Sequence, residues 1–240
     1  MPVRCRRFPS GSAGTASCPV WARAAWAKCF WRTTINSIAR WMFSCATHLL
    51  ESTGRSEEAE GEILDALSRD PLSGSLNTEL GCNAYYRRQY DTAVKVYRDV
   101  LSLDPDNVVA SWGLGKALSQ RKDYEGAIVE LNKAVARGGA PAPILVAAIG
   151  YAYASLGRRA DTARVLQQLD GMSKTIFVDP YLVAAIYLAS SDKTHALDLL
   201  ERAETLKSSF LISIPREPQW DALRDEPRFQ TLVRRLGFPA

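Results

Sequence analysis

The chain has 240 residues, 47% of them hydrophobic, with 30 Lys and Arg against 26 Asp and Glu and a formal net charge of +4. That length and apolar content suffice for a packed core, and no run approaches the ~18 apolar residues a spanning helix needs, so a transmembrane segment is not expected. The excess positive charge sits wholly in the first 50 residues; residues 51–240 hold 23 basic and 26 acidic side chains, which argues against nucleic-acid binding by this chain.

The opening stretch differs in kind from the rest. It contains Arg4, Arg6, Arg7, Arg23, Lys28, Arg32 and Arg40 but no acid, together with Trp21, Trp26, Trp31 and Trp41 and with Cys5, Cys18, Cys29 and Cys45. Such a composition fits an organelle transit peptide or a basic aromatic segment for an anionic surface. Arg23 and Lys28 interrupt any apolar core of a secretory signal. The absence of periodicity favours the plainest reading: residues 1–39 are an irregular or disordered leader without a function of their own.

From residue 59 onward the chain repeats itself. Ala59, Ala93 and Ala127 lie 34 residues apart, and so do Leu80 and Leu114, Gly81 and Gly115, Tyr90 and Tyr124, and Pro71 and Pro105. A period of this size means stacked units, each burying its apolar face on its neighbours. Within residues 74–107, Leu76, Leu80, Ala84 and Tyr85 recur at helical spacing. The loop Arg87-Arg88-Gln89 follows, and a second helix carries Ala93, Val94, Tyr97, Val100 and Leu101 to a stop at Asp104-Pro105. Gly81 and Ala93 are small where two helices must approach closely. Residues 108–143 repeat the scheme with Trp112, Leu114, Gly115, Leu118, Tyr124, Ala127, Leu131, Ala134 and Pro141.

These residues resemble the tetratricopeptide repeat, whose pattern W-x2-L-G-x2-Y…A-x3-F…P they meet piecemeal. The resemblance implies an all-α fold: a right-handed α-solenoid of about five helix-turn-helix pairs with a C-terminal capping helix. The units expected are 40–73, 74–107, 108–143, 144–176 and 177–210, with the cap at 211–240. Ala163 arrives 36 residues after Ala127, so the Gly138-Gly139 loop is expected to be loosened by two. Pro180 should open the first helix of the last unit.

In the tail, Asp225 is expected to cap a short helix with Pro227 in its first turn. Phe229, Leu232, Val233 and Leu236 would form its apolar stripe and Gly237 its stop. Arg228, Arg234 and Arg235 on the other face are expected to be solvated. The segment Trp220–Phe238 resembles the closing segment of bacterial multidomain regulators, in which a tetratricopeptide array follows a winged-helix, serine/threonine kinase or cyclase domain. The alternative function is therefore the sensory or regulatory module of a regulator separated from its effector.

No catalytic or metal-binding constellation is expected. The cysteines at 5, 18, 29, 45 and 82 form no C-x2-C pair, and His48 and His195 stand alone. Ser191 and Asp192 read as the loop and cap before His195. Gly113-Leu114-Gly115-Lys116 lacks the spacing of a phosphate loop, so close helix packing explains its glycines. No cofactor is expected. The resemblance implies that first helices line a concave groove. The groove candidates are Thr78, Cys82, Tyr85, Val109, Trp112, Lys116, Ser119 and Tyr181, with Asn83 at the edge, where rings would supply area and Lys116 an anion contact to a protein or peptide. Only Lys116 fits the carboxylate clamp of some members of the family. The expected compartment is the cytoplasm; a periplasmic or membrane-associated place would follow from a membrane-anchored parent, and organelle import ranks below both.

Overall fold

The computed structural model describes residues 47, 50, 51, 53–138 and 142–238, which fall in one compact unit, Ser44–Ala240. The leader expected over residues 1–39, His48 and residues 139–141 lie outside the described residues. Among the described residues all regular structure is helical: α1 Ser56–Arg69, α2 Gly74–Tyr86, α3 Tyr90–Leu103, α4 Val108–Gln120, α5 Tyr124–Arg137, α6 Pro143–Ser155, α7 Arg159–Ser173, α8 Pro180–Ala189, α9 Lys193–Thr205 and α10 Pro227–Arg235. Two short 3-10 segments, Ser209–Ser213 and Pro218–Leu223, lie between α9 and α10.

The helices alternate in character. α4, α6 and α8 bury residues around most of their circumference, whereas α3, α5 and α9 each bury a single stripe, such as Ala93, Val94, Tyr97 and Val100 on α3. A helix that is apolar on all sides must be enclosed, and a striped one faces water on its polar side. The packing follows. α2, α4, α6 and α8 touch one another in an inner layer, and each also packs on the second helix of its own pair. The successive helix pairs thus form an α-solenoid.

Each pair is closed by the same turn. Gly54, Arg88, Lys122, Gly157 and Ser191 all have left-handed φ, at +85°, +61°, +64°, +71° and +66°, at spacings of 34, 34, 35 and 34 residues. The following amide reaches back five residues, as Gln89 N–H to Ala84 O and Asp123 N–H to Leu118 O, both near 3 Å. This is the reciprocal pattern that satisfies orphan carbonyls at a helix end. The glycines expected to allow close approach do so. A Cβ on Gly81 or on Gly113 would come within 2.7 Å or 2.3 Å of the Tyr97 ring, and one on Gly115 within 2.7 Å of Leu131. Tyr97 is therefore wedged between two glycines from neighbouring inner helices.

Two features depart from the regular scheme. At α3–α4 and α5–α6 the second helix packs on the next first helix, but α7 scarcely meets α8, which instead lies against α6. The cap also differs from expectation at its start. Glu226, not Asp225, is the residue before α10, and Pro227 occupies the first position, where the missing N–H costs nothing. Phe229, Leu232 and Val233 are buried, and Gly237 ends the helix with φ +82°. Arg234 is exposed as expected, but the other two arginines are not simply solvated. Arg228 binds Asp198 and Glu201, and Arg235 binds Glu204 at 2.6 Å, so α10 is stapled to α9. Apolar spacing reveals which face is wet but not which acids stand across from it.

Candidate functional site

Three inner helices bring five of the expected groove residues together. Tyr85 comes from α2, Trp112, Lys116 and Ser119 from α4, and Tyr181 from α8; all five line one hollow, with Tyr151 of α6 beside them. The spacing of Trp112, Lys116 and Ser119 is helical, so one face of α4 presents all three. Thr78 and Ser119 commit their hydroxyls to their own helix, donating to Gly74 O at 2.7 Å and Gly115 O at 2.8 Å. Val109 is exposed and stands apart from the hollow. Cys82 is partly exposed and also outside it; burial pushes its thiol well up, and the Glu51 and Glu79 carboxylates add to this. Asn83 is not at an edge: it is buried and donates to Ser56 O at 2.8 Å, tying α2 to the start of α1.

This inner-helix face is covered by the chain's own C-terminal segment. Glu217 is 0% exposed, and its carboxylate accepts from both Lys116 Nζ and the Tyr85 hydroxyl. Lys116 is 11% exposed and lies 4.4 Å from the centre of the Tyr85 ring, 4.5 Å from that of Trp112 and 5.7 Å from that of Tyr86, so its charge meets one carboxylate and three rings. Burial, and after it the Glu217 carboxylate, pushes the Tyr85 phenol well above its usual range, which keeps it a donor. Trp220 is fully buried; its indole N–H donates to the Tyr181 hydroxyl at 3.0 Å, and the two rings meet edge to face at 5.1 Å. Phe210 stacks on Tyr181 at 5.5 Å and meets Trp112 at 5.8 Å.

Asp221 completes the contact at the rim. Arg88 grips both its oxygens, at 2.7 Å and 3.0 Å, and Arg224 adds a third bond at 2.8 Å. Partial burial pushes the Asp221 carboxyl up, but the hydrogen bonds from Arg88 and Arg224 outweigh it and hold it below the usual carboxylate range. The residues that sequence reasoning missed are these: Phe210, Glu217, Trp220 and Asp221. Glu217 lies 101 residues from Lys116 and 132 from Tyr85. No periodic signal connects positions so far apart.

With this segment in place the hollow holds about 30 Å³, room for a single water. A second concavity is much larger. The splay of α7 from α8 leaves an open cleft of about 580 Å³, floored by Leu166, Leu169, Val183 and Leu199 and overhung by the exposed side chains of Ile176 and Phe177. His195 sits at its edge, bonded to Asp192 at 2.7 Å and stacked on Tyr187.

The profile of the tetratricopeptide-repeat family matches residues 78–143, the stretch that holds α3, α4 and α5. Residues 78–143 carry tetratricopeptide repeats. The structure of a thermophilic tetratricopeptide-repeat protein from Thermus thermophilus is similar to this array with a TM-score of 0.57 at 17% identity, over 81% of this chain and 99% of that one. The type IV pilus biogenesis factor PilW gives 0.52 at 16% identity, over 82% and 92%. At these identities the likeness is one of fold. No curated protein sequence matches the chain significantly. Among the described residues, no helix of the array is long and apolar enough to cross a membrane, and no group of three His, Cys, Asp or Glu side chains could hold a metal ion.

Proposed function

We propose that this tetratricopeptide-repeat protein is a non-catalytic scaffold, and that it binds a protein or peptide partner on the inner-helix face where Tyr85, Trp112, Lys116, Ser119 and Tyr181 meet. A tetratricopeptide-repeat fold is in general a protein-interaction scaffold. One observation supports the choice of face: it already holds a stretch of peptide, through a carboxylate on Lys116 and an indole on Tyr181. Aromatic area around a single cation is what anchors an extended or turn-rich peptide. The alternative of a regulatory module draws on no feature of this face and is not advanced.

The test starts from a partner identified by cross-linking and then purified. Its direct affinity is compared for the wild-type chain, for Trp112→Ala with Lys116→Gln, and for Phe177→Ser in the open cleft. The face reading expects at least a tenfold loss in the first variant, equivalent to about 1.4 kcal/mol, and little change in the second. Loss in Phe177→Ser with full binding by the double variant would move the site to the cleft and overturn it.

A further inference from the structure

We propose that residues 214–221 are a resident ligand of the groove, and that the partner the groove takes presents the same chemistry: a carboxylate, a proline directly after it, and an indole three positions on. The inference rests on the groove reading above and names the partner class for it.

Space comes first. The hollow left beside the resident segment holds about 30 Å³, too little for an indole or a proline ring to enter while that segment stays. A partner must therefore replace it. Charge comes next. Lys116 Nζ and the Tyr85 hydroxyl converge on one carboxylate that is itself wholly buried. A replacement without a carboxylate would leave a desolvated ammonium unpaired, which is far costlier than an unpaired surface charge. Shape is third. Pro218 occupies the first position of the 3-10 turn Pro218–Leu223, fixing the backbone so that Trp220 folds back onto Tyr181 and reaches its hydroxyl. A segment already bent this way loses less freedom on docking.

The resident segment is held in place partly by its tether. α9 ends at Thr205, and the link to Ser209 runs through Lys207 at φ +55°. Tethering gives the segment an effective concentration on the order of millimolar. Its main hold is apolar, through Leu211, Ile214, Trp220 and Leu223 buried against the later repeats, whereas the ion pairs of Arg88, Arg228 and Arg235 are exposed and contribute little each. A free competitor of equal chemistry thus binds the wild-type chain weakly and a chain with a loosened tail well.

The probe is a synthetic, fluorescently labelled peptide of residues 212–224, tested on the full chain. Against Glu217→Ala, whose own segment lacks the carboxylate, the peptide should bind at least tenfold tighter than against wild type. A peptide with Gln at the Glu217 position should bind that variant at least tenfold more weakly. Equal affinity for variant and wild type, or indifference to the Glu-to-Gln change, overturns the proposal. If Glu217→Ala loses its helical circular dichroism, hydrogen exchange of the wild type decides. Saturating peptide should speed exchange across residues 209–223 while α2–α5 stay protected, and unchanged exchange overturns the proposal. Failure here, with the natural partner still lost on the Trp112→Ala and Lys116→Gln double change, would leave the groove reading standing with a different ligand chemistry.

Discussion

Lys116 shows how one side chain's meaning changes between sequence and structure. As a lone cation on a helix face it reads as an anion contact waiting for a partner. In the fold its anion is already supplied by Glu217, which is wholly buried. Removing one member of a buried pair strands the other. Lys116→Met should therefore cost about 3–5 kcal/mol, read as a lower urea midpoint, whereas Lys116→Met with Glu217→Gln should recover much of the loss. An additive double variant would mean that the two side chains do not act as a pair. Of the eight groove candidates, the five that converge were legible because helical spacing on α4 and the repeat register on α2 and α8 fix their direction. Val109 lies two turns before Lys116 on the same face, but at the start of α4, where it is exposed and outside the hollow. Glu217 could not be found this way, since it belongs to no repeat.

The recurring element of this array is its turn. Gly54, Arg88, Lys122, Gly157 and Ser191 share a left-handed backbone, yet only two of the five are glycine. The turn was visible in the sequence as a polar gap between two apolar helices, but its backbone requirement was not, because no single residue type marks it. For a side chain with a Cβ that conformation costs roughly 1 kcal/mol or more. Lys122→Gly should thus be neutral or stabilising by up to about 1 kcal/mol in urea unfolding. Gly157→Ala, where an added Cβ meets nothing within 4 Å, should isolate the backbone cost and destabilise by about 1 kcal/mol. A loss on Lys122→Gly would show that the lysine stem, not the backbone, governs that turn. The missing contact between α7 and α8 was equally invisible. The longer loop before α6 and the 33-residue step from Ala163 to Ala196 point to irregularity there, but spacing alone does not say which helices part.

At the scale of the molecule, a repeat array is a line of units held by neighbours, and its stability is close to a sum along that line. Here the C-terminal segment runs back across the line. It touches α2 through Tyr85, α4 through Lys116 and α8 through Tyr181, and its buried Leu211, Ile214, Trp220 and Leu223 join the core of the later repeats. A chain ending at Leu206 should therefore lose more than its own residues. Amide exchange in α8 and α9 should rise by an order of magnitude or more, while α3 and α4, whose buried apolar residues form a separate core cluster, keep their protection. Uniform protection after the cut would mean that the segment is an ornament on the array rather than part of its core. The solenoid class was legible from five registers at one period, because periodicity reports nearest neighbours. The back-crossing was not, because it joins residues that nothing periodic relates.

The distance in sequence between Tyr85 and Glu217, 132 residues, also sets an order of events during synthesis. At about 5–20 residues per second, α2 and α4 leave the ribosome many seconds before the segment that covers them, and units of this kind fold as they emerge. For that interval the nascent protein displays Lys116, Trp112 and Tyr85 uncovered. That face stays open until residues 210–221 follow, roughly 5–25 seconds later.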